Sequence, residues 1–146
     1  MQDATLRAAE RANALSKVDI GACIEVHRQL GPGLLESAYE ICLCRELQSL
    51  SIPFERQKLL PVRYKGELVD AGYRLDLVVD NCLLVELKSV EQLLPIHDAQ
   101  VLTYLKLSEI KLGLLINFNV VMLKQGVKRV VNKFPDDSSS SFAPLR

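Results

Sequence analysis

The spacing of apolar residues along the chain changes period twice. Over residues 16–30, Val18, Ala22, Ile24 and Val26 recur at helical spacing behind Ser16, a residue type suited to an N-cap. Residues 1–15, rich in Ala, Arg and Glu, are expected to extend that helix or to fray. Gly31-Pro32-Gly33 breaks the pattern, and a second helix is predicted over 34–50, closed by Ser51 to Pro53. The period then shortens. Residues 54–64, 67–79 and 82–89 are rich in Val, Leu and Tyr and are punctuated by Lys65-Gly66 and Asp80-Asn81, which predicts a meander of antiparallel strands. Pro95 suits the first turn of a third helix over 95–107. Two strands follow, at 112–117 with 120–123 as its continuation, and at 127–131 after Gly126.

Helix, helix, three strands, helix and two strands describe an α/β (α+β) sandwich, a mixed central sheet with helices on both faces. One domain is expected over 16–134, preceded by the 1–15 extension and followed by a polar tail, 135–146, expected to be disordered. The longest apolar run, 112–123, is interrupted by Gly113, Asn117 and Asn119, so no membrane span is expected. The N-terminus lacks the basic start and apolar block of a secretory signal, and the default expectation is a cytoplasmic location.

Charge and cysteines narrow the chemistry. Eighteen basic residues balance eighteen acidic ones, which argues against a protein that coats DNA but not against an enzyme with a local groove. Cys23, Cys42, Cys44 and Cys82 form no CxxC pair and lie in apolar contexts, so they read as reduced, buried thiols.

Within the strands, Asp76 and the triplet Glu86-Leu87-Lys88 stand out. Side chains alternate along a strand, so Glu86 and Lys88 share one face, set among Leu83, Leu84, Val85 and Leu87. Such charges are costly in a sheet interior unless paired or bound to something. With a two-residue turn at Asp80-Asn81, Asp76 would oppose Val85 and point away from Glu86. A three-residue loop shifts the register by one and brings Asp76 to the face of Glu86 and Lys88. Asn81 tolerates the left-handed backbone that such loops need. Two neighbouring carboxylates can hold a magnesium or manganese ion, which activates water and neutralises a phosphodiester, while a lysine orients or deprotonates the nucleophile. An ordinary buried ion pair accounts for these three residues equally well. Two further groups bear on the choice. Glu36 heads a helical column with Tyr39, Leu43 and Leu47 and is expected to face inward, although a helix-start carboxylate favoured by the dipole explains it too. Gln100 and Tyr104 stack four residues apart with His97 beside them, opposite Val101, Leu102 and Leu105; surface polarity explains them equally well.

Gly33-Leu34-Leu35-Glu36-Ser37-Ala38-Tyr39 resembles the signature of the GxxExxY family of PD-(D/E)xK proteins. The segments IEVHRQLGPGLLESAYE, IPFERQKLLPVRYKGELV, YRLDLVVDNCLLVELKSVE, HDAQVLTYLK and LGLLINF follow that family in order, over residues 24–118. The resemblance implies a restriction-endonuclease-like core, with Glu36 as an outer metal-site acid. It implies Asp76 and Glu86 as ligands of Mg2+ (or Mn2+), assisted by the Leu87 carbonyl, and Lys88 as the catalytic lysine. Gln100 and Tyr104 match the QxxxY motif that recombination-type nucleases use near substrate, and Tyr39 is expected to join them in substrate binding. No cysteine follows Cys82, so the iron–sulfur cluster of some superfamily members is not expected. His27 matches the pattern as well and reads better as a helix-packing residue than as a substrate contact.

The function implied is metal-dependent hydrolysis of nucleic acid, DNA above all, by a homodimer or with a recognition partner that supplies the grip. The alternatives are a non-cleaving nucleic-acid-binding or regulatory module that keeps the same constellation, favoured slightly by the neutral charge, and a structural homodimer whose acids and lysine form a buried ion network.

Overall fold

The computed structural model describes residues 2–135 and the backbone of residues 142–144. Helix α1 runs unbroken over Gln2–Leu30. Ser16 is therefore not an N-cap: it lies mid-helix, and its hydroxyl donates to the Asn13 carbonyl at 2.7 Å. The extension is helical because it has something to bury. Ala9, Ala12 and Leu15 are 2–5% exposed and join the same apolar cluster as Ala22, Cys23 and Val26. Helix α2 spans Glu36–Ser49.

Strand β1 (Phe54–Leu59) is followed by a small hairpin of β2 (Val62–Tyr64) and β3 (Glu67–Val69), then β4 (Arg74–Val79) and β5 (Leu83–Lys88). The expected meander is thus corrected. Pro61, which has no N–H for a ladder, and the Asp70-Ala71-Gly72-Tyr73 stretch break the two long predicted strands, so β1 pairs with β4 and the β2–β3 hairpin forms a separate sheet. Helix α3 (Pro95–Ser108) links β5 to β6 (Leu112–Asn117), and these two strands pair in parallel. A parallel pair needs such a crossover. Residues 120–123 do not continue β6; they lead into a single 3-10 turn, Leu123–Gly126, before β7 (Val127–Val131). The predicted disordered tail falls mostly outside the described residues, but Phe142–Pro144 pair with β7 as β8. The main sheet has the order β1-β4-β5-β6-β7-β8.

The sheet separates two apolar layers. Leu77, Val79, Leu83, Val85, Leu112, Leu114 and Ile116 pack with α1 and α2; Val78, Leu84, Leu115 and Val130 pack with Val101 and Leu105 of α3. Gly113 sets how close α3 comes. A Cβ there would lie 3.1 Å from Val101 Cγ1 and 3.3 Å from Leu105 Cδ2, so the absent side chain lets the helix settle onto β6. The α/β class and the helices on both faces follow the sequence expectation, and the mixed sheet is consistent with a restriction-endonuclease-like core.

Candidate active site

The loop joining β4 to β5 decides which face Asp76 takes. It has three residues, Asp80, Asn81 and Cys82, and the pairing runs Val79 to Leu83, Val78 to Leu84 and Leu77 to Val85. Continuing that register sets Asp76 opposite Glu86. Asp80 and Asn81 adopt φ of 47° and 56°, the left-handed region that short polar side chains tolerate best. Arg11 Nε of α1 donates to Asp80 Oδ2 at 2.9 Å and ties the loop to the helical layer.

At Asp76 the ladder gives way to side chains. The Asp76 N–H donates to Glu86 Oε1 at 3.1 Å, and the Leu87 N–H donates to Asp76 Oδ2 at 2.9 Å. The regular alternation of β4 also fails here: Leu77 faces the α1/α2 layer, whereas Leu75, two residues earlier, joins the α3 layer. Opposite Asp76 in β1 stands Gln57, with φ of 52°, an uncommon backbone for a side chain of that kind. Gln57 Nε2 bridges Glu40 Oε1 at 2.7 Å and Asp76 Oδ1 at 3.4 Å.

The electrostatics of the pair are unfavourable for two anions. Glu86 is 5% exposed. Burial, and then the neighbouring Asp76 charge, push its carboxyl up to about 9, with Lys88 pulling only weakly the other way. Burial and the adjacent charge thus both favour the protonated form of Glu86 over a second anion beside Asp76. Tyr104 belongs to the same electrostatic unit: burial raises its hydroxyl above the ordinary phenol range, and Glu86, Tyr73 and Asp76 push in the same direction. Gln100 Nε2 donates to the Tyr104 hydroxyl at 3.0 Å.

Lys88 continues the Glu86 face of β5 and opens into a groove of about 670 Å³ along α3, together with His97, Gln100 and Tyr104. The chain leaving Lys88 is held in place from β6. Asn117, 2% exposed, accepts from the Val90 N–H at 3.0 Å and donates to its carbonyl at 2.9 Å. The Phe118 N–H donates to the Lys88 carbonyl at 2.9 Å. Gly126 is required by this arrangement, because a Cβ there would come within 2.1 Å of the Asn117 carbonyl oxygen. Among known sequence families, that of the PD-(D/E)XK nuclease superfamily matches residues 13–130, a span that includes Asp76, Glu86, Lys88, Gln100 and Tyr104. The chain belongs to the PD-(D/E)XK nuclease superfamily. No curated protein and no solved structure is matched at a significant level.

Nucleases of the PD-(D/E)XK superfamily typically depend on a divalent metal, and the donors present here suit a small hard cation. Among the described residues no group of three or more His, Cys, Asp or Glu side chains converges. Asp76 and Glu86 supply two carboxylates. Leu87 sends its N–H toward β4, and in an extended strand its carbonyl leaves on that same side. Two carboxylates and one carbonyl, with water completing the shell, match the habit of Mg2+, which keeps several waters and rarely takes an all-protein cage.

Other expected site residues lie elsewhere. Glu36 does not face inward; it is exposed in the first turn of α2, because Leu35 takes the cap position and turns that residue toward solvent. The buried acid of α2 is Glu40, at 5% exposure, one turn before Cys44 and paired with Arg56 Nε. Tyr39 is fully buried. Its ring stacks on Phe118 at 4.4 Å, its hydroxyl donates to the Gly31 carbonyl at 2.7 Å, and it accepts from the Leu34 N–H at 3.1 Å. Fully buried and with its ring stacked and its hydroxyl engaged, it clamps the loop before α2 and is not placed to make the expected substrate contact. His27 packs in the helical layer, Nε2 donating to the Val120 carbonyl at 2.8 Å. His97 caps α3, its Nδ1 accepting from the Leu94 N–H at 3.0 Å. Sequence reasoning missed Glu40, Gln57 and Asn117. A polar residue ending the apolar run of β6 was the available signal for Asn117.

Proposed function

We propose that this chain is a magnesium- or manganese-dependent nuclease of the GxxExxY type that hydrolyses phosphodiester bonds, with DNA as its substrate. The observation that carries the reading is the cross-strand meeting of Asp76 and Glu86 beside Lys88, at the mouth of a groove. A buried acid set against a half-buried one is a poor structural device and a good cation site, because a cation removes the repulsion that otherwise favours a proton on Glu86.

In this reading Asp76, Glu86 and the Leu87 carbonyl hold the ion. When bound, the ion polarises the phosphodiester and neutralises its developing charge. Lys88 directs its ammonium into the groove and orients the attacking water. Tyr104, kept protonated by its surroundings, donates to a non-bridging phosphate oxygen, and Gln100 fixes the direction of that hydroxyl. Glu36 serves as an outer acid; the hydrogen bond from Ser89 Oγ to the Leu34 carbonyl at 2.6 Å ties the start of α2 to the residue after Lys88. A second copy or a partner protein supplies additional grip on the nucleic acid.

The test is cleavage of labelled single-stranded, duplex and branched DNA, and of RNA, with Mg2+ or Mn2+ and with chelator. Metal-dependent cutting that disappears in Asp76→Asn and Lys88→Ala, both folded by circular dichroism, is the expected result. Cutting that persists in both variants would sink the assignment. The balanced charge favours a non-cleaving binding module as the second reading, and metal-dependent binding without turnover by the wild-type protein would establish it.

A further inference from the structure

The groove beside Lys88 carries information about the form of the nucleic acid. Its walls are largely apolar and aromatic, formed by Val62, Tyr73, Ile96, Tyr104 and Leu107. Tyr73 is 48% exposed and Ile96 67%, and the Tyr73 ring tilts toward Tyr104 with centroids 6.2 Å apart. Lys88 is the one Lys or Arg among the residues lining the groove. Three other cations are engaged elsewhere: Arg56 with Glu40, Arg74 with the Gln57 carbonyl at 3.3 Å, and Lys128 with Asp98 at 3.2 Å.

A duplex offers its phosphates outward and hides its base faces, so a duplex-binding groove needs several free cations and gains little from exposed rings. An unpaired strand reverses both demands. Each base presents a flat apolar face that stacks on aromatic side chains, and fewer phosphate contacts suffice. We propose that this groove takes a single-stranded segment, with a base stacked on Tyr73 and the adjoining phosphate carried to Lys88, so that the enzyme acts on unpaired or frayed nucleic acid. The proposal rests on the nuclease reading for its catalytic consequence, but not for binding.

The test measures binding and cutting separately. Fluorescence anisotropy in Ca2+ compares labelled oligothymidine with a blunt duplex of equal length, across a salt series, for wild type, Tyr73→Ala and Tyr73→Phe. The expected result is tighter binding of oligothymidine, weakened about tenfold by Tyr73→Ala and retained by Tyr73→Phe. The salt slope should be shallow, about −0.7 for each phosphate contacted and for only one or two of them. Equal or tighter duplex binding with a steep slope, or no effect of Tyr73→Ala, overturns the proposal. If duplex DNA is nevertheless cut with metal, the nuclease reading survives that failure. Oligothymidine binding with the expected Tyr73 dependence and no cutting of any substrate upholds the groove assignment and removes the nuclease reading.

Discussion

The two faces of the sheet each bury an acid among apolar side chains, and the two acids have different surroundings. Asp19, in the α1/α2 layer, is fully buried; one carboxyl oxygen meets only the Cys23 thiol at 3.7 Å, and the other has no hydrogen-bond partner. Burial alone pushes it up to about 7. Glu86, on the α3 side of the sheet, experiences the same desolvation but also has a second carboxylate beside it and the groove-lining Lys88 two residues on. Desolvation therefore does not distinguish a functional acid from a structural one. On the nuclease reading, what sets Glu86 apart is a like-charged neighbour held by backbone hydrogen bonds, beside a lysine that lines the groove.

That contrast can be broken most severely at Asp76. Asp76→Asn should lower cleavage on the order of a thousandfold, the scale of losing one group that stabilises a transition state, with the melting temperature held or raised. A large loss of stability instead would make Asp76 a structural residue like those of the other face. The opposite behaviour is expected at Leu43, fully buried between the helices and the sheet. Leu43→Ala should cost about 2–5 kcal/mol in denaturant unfolding, while activity per folded molecule stays close to wild type.

Asp19 gives a smaller, pH-dependent effect. Its folded pKa lies above the ordinary 3.8, so the native state holds a proton that the unfolded state has lost. Stability should fall as pH rises from about 4 to about 7 and level off above, where the charged form must be buried. Asp19→Asn should flatten that window and stabilise the protein at pH 8 by on the order of a few kcal/mol, without altering cleavage; urea midpoints across pH measure it. An unchanged profile would show that another group dominates. The smallest effect is expected at Arg11→Ala. It removes a half-exposed ion pair with Asp80 and should cost under about 1 kcal/mol.

Much of this contrast is legible in the sequence, for a local reason. Which face Asp76 occupies depends on the length of one loop, and Asp80-Asn81 is a local signal for it. The apolar spacing likewise marks Val101 and Leu105 as buried and leaves Gln100 and Tyr104 on another flank of α3. What escapes is nonlocal. Tyr39 shares a helical column with Leu43 and Leu47, yet its fate is set by the loop it folds back upon. Glu36 heads that column but lies at the helix end, where a side chain has no preceding turn to cover it. Glu40 and Gln57 become part of the site surroundings only because β1 pairs with β4, across an inserted hairpin that periodicity alone merges into longer strands. Ser16 looks like a cap because the sequence does not reveal that Ala9 and Ala12 have a sheet to rest on.

The three residues between β4 and β5 have a consequence for how such a domain can lose its chemistry. Deleting or inserting a single codon there would slide one strand by one step and turn Asp76 to the opposite side, while every acid and the lysine remained present in the gene. A descendant could thus keep an intact motif by inspection and have no centre at all. For homologues of this chain, loop length should be read together with the motif before activity is inferred from it.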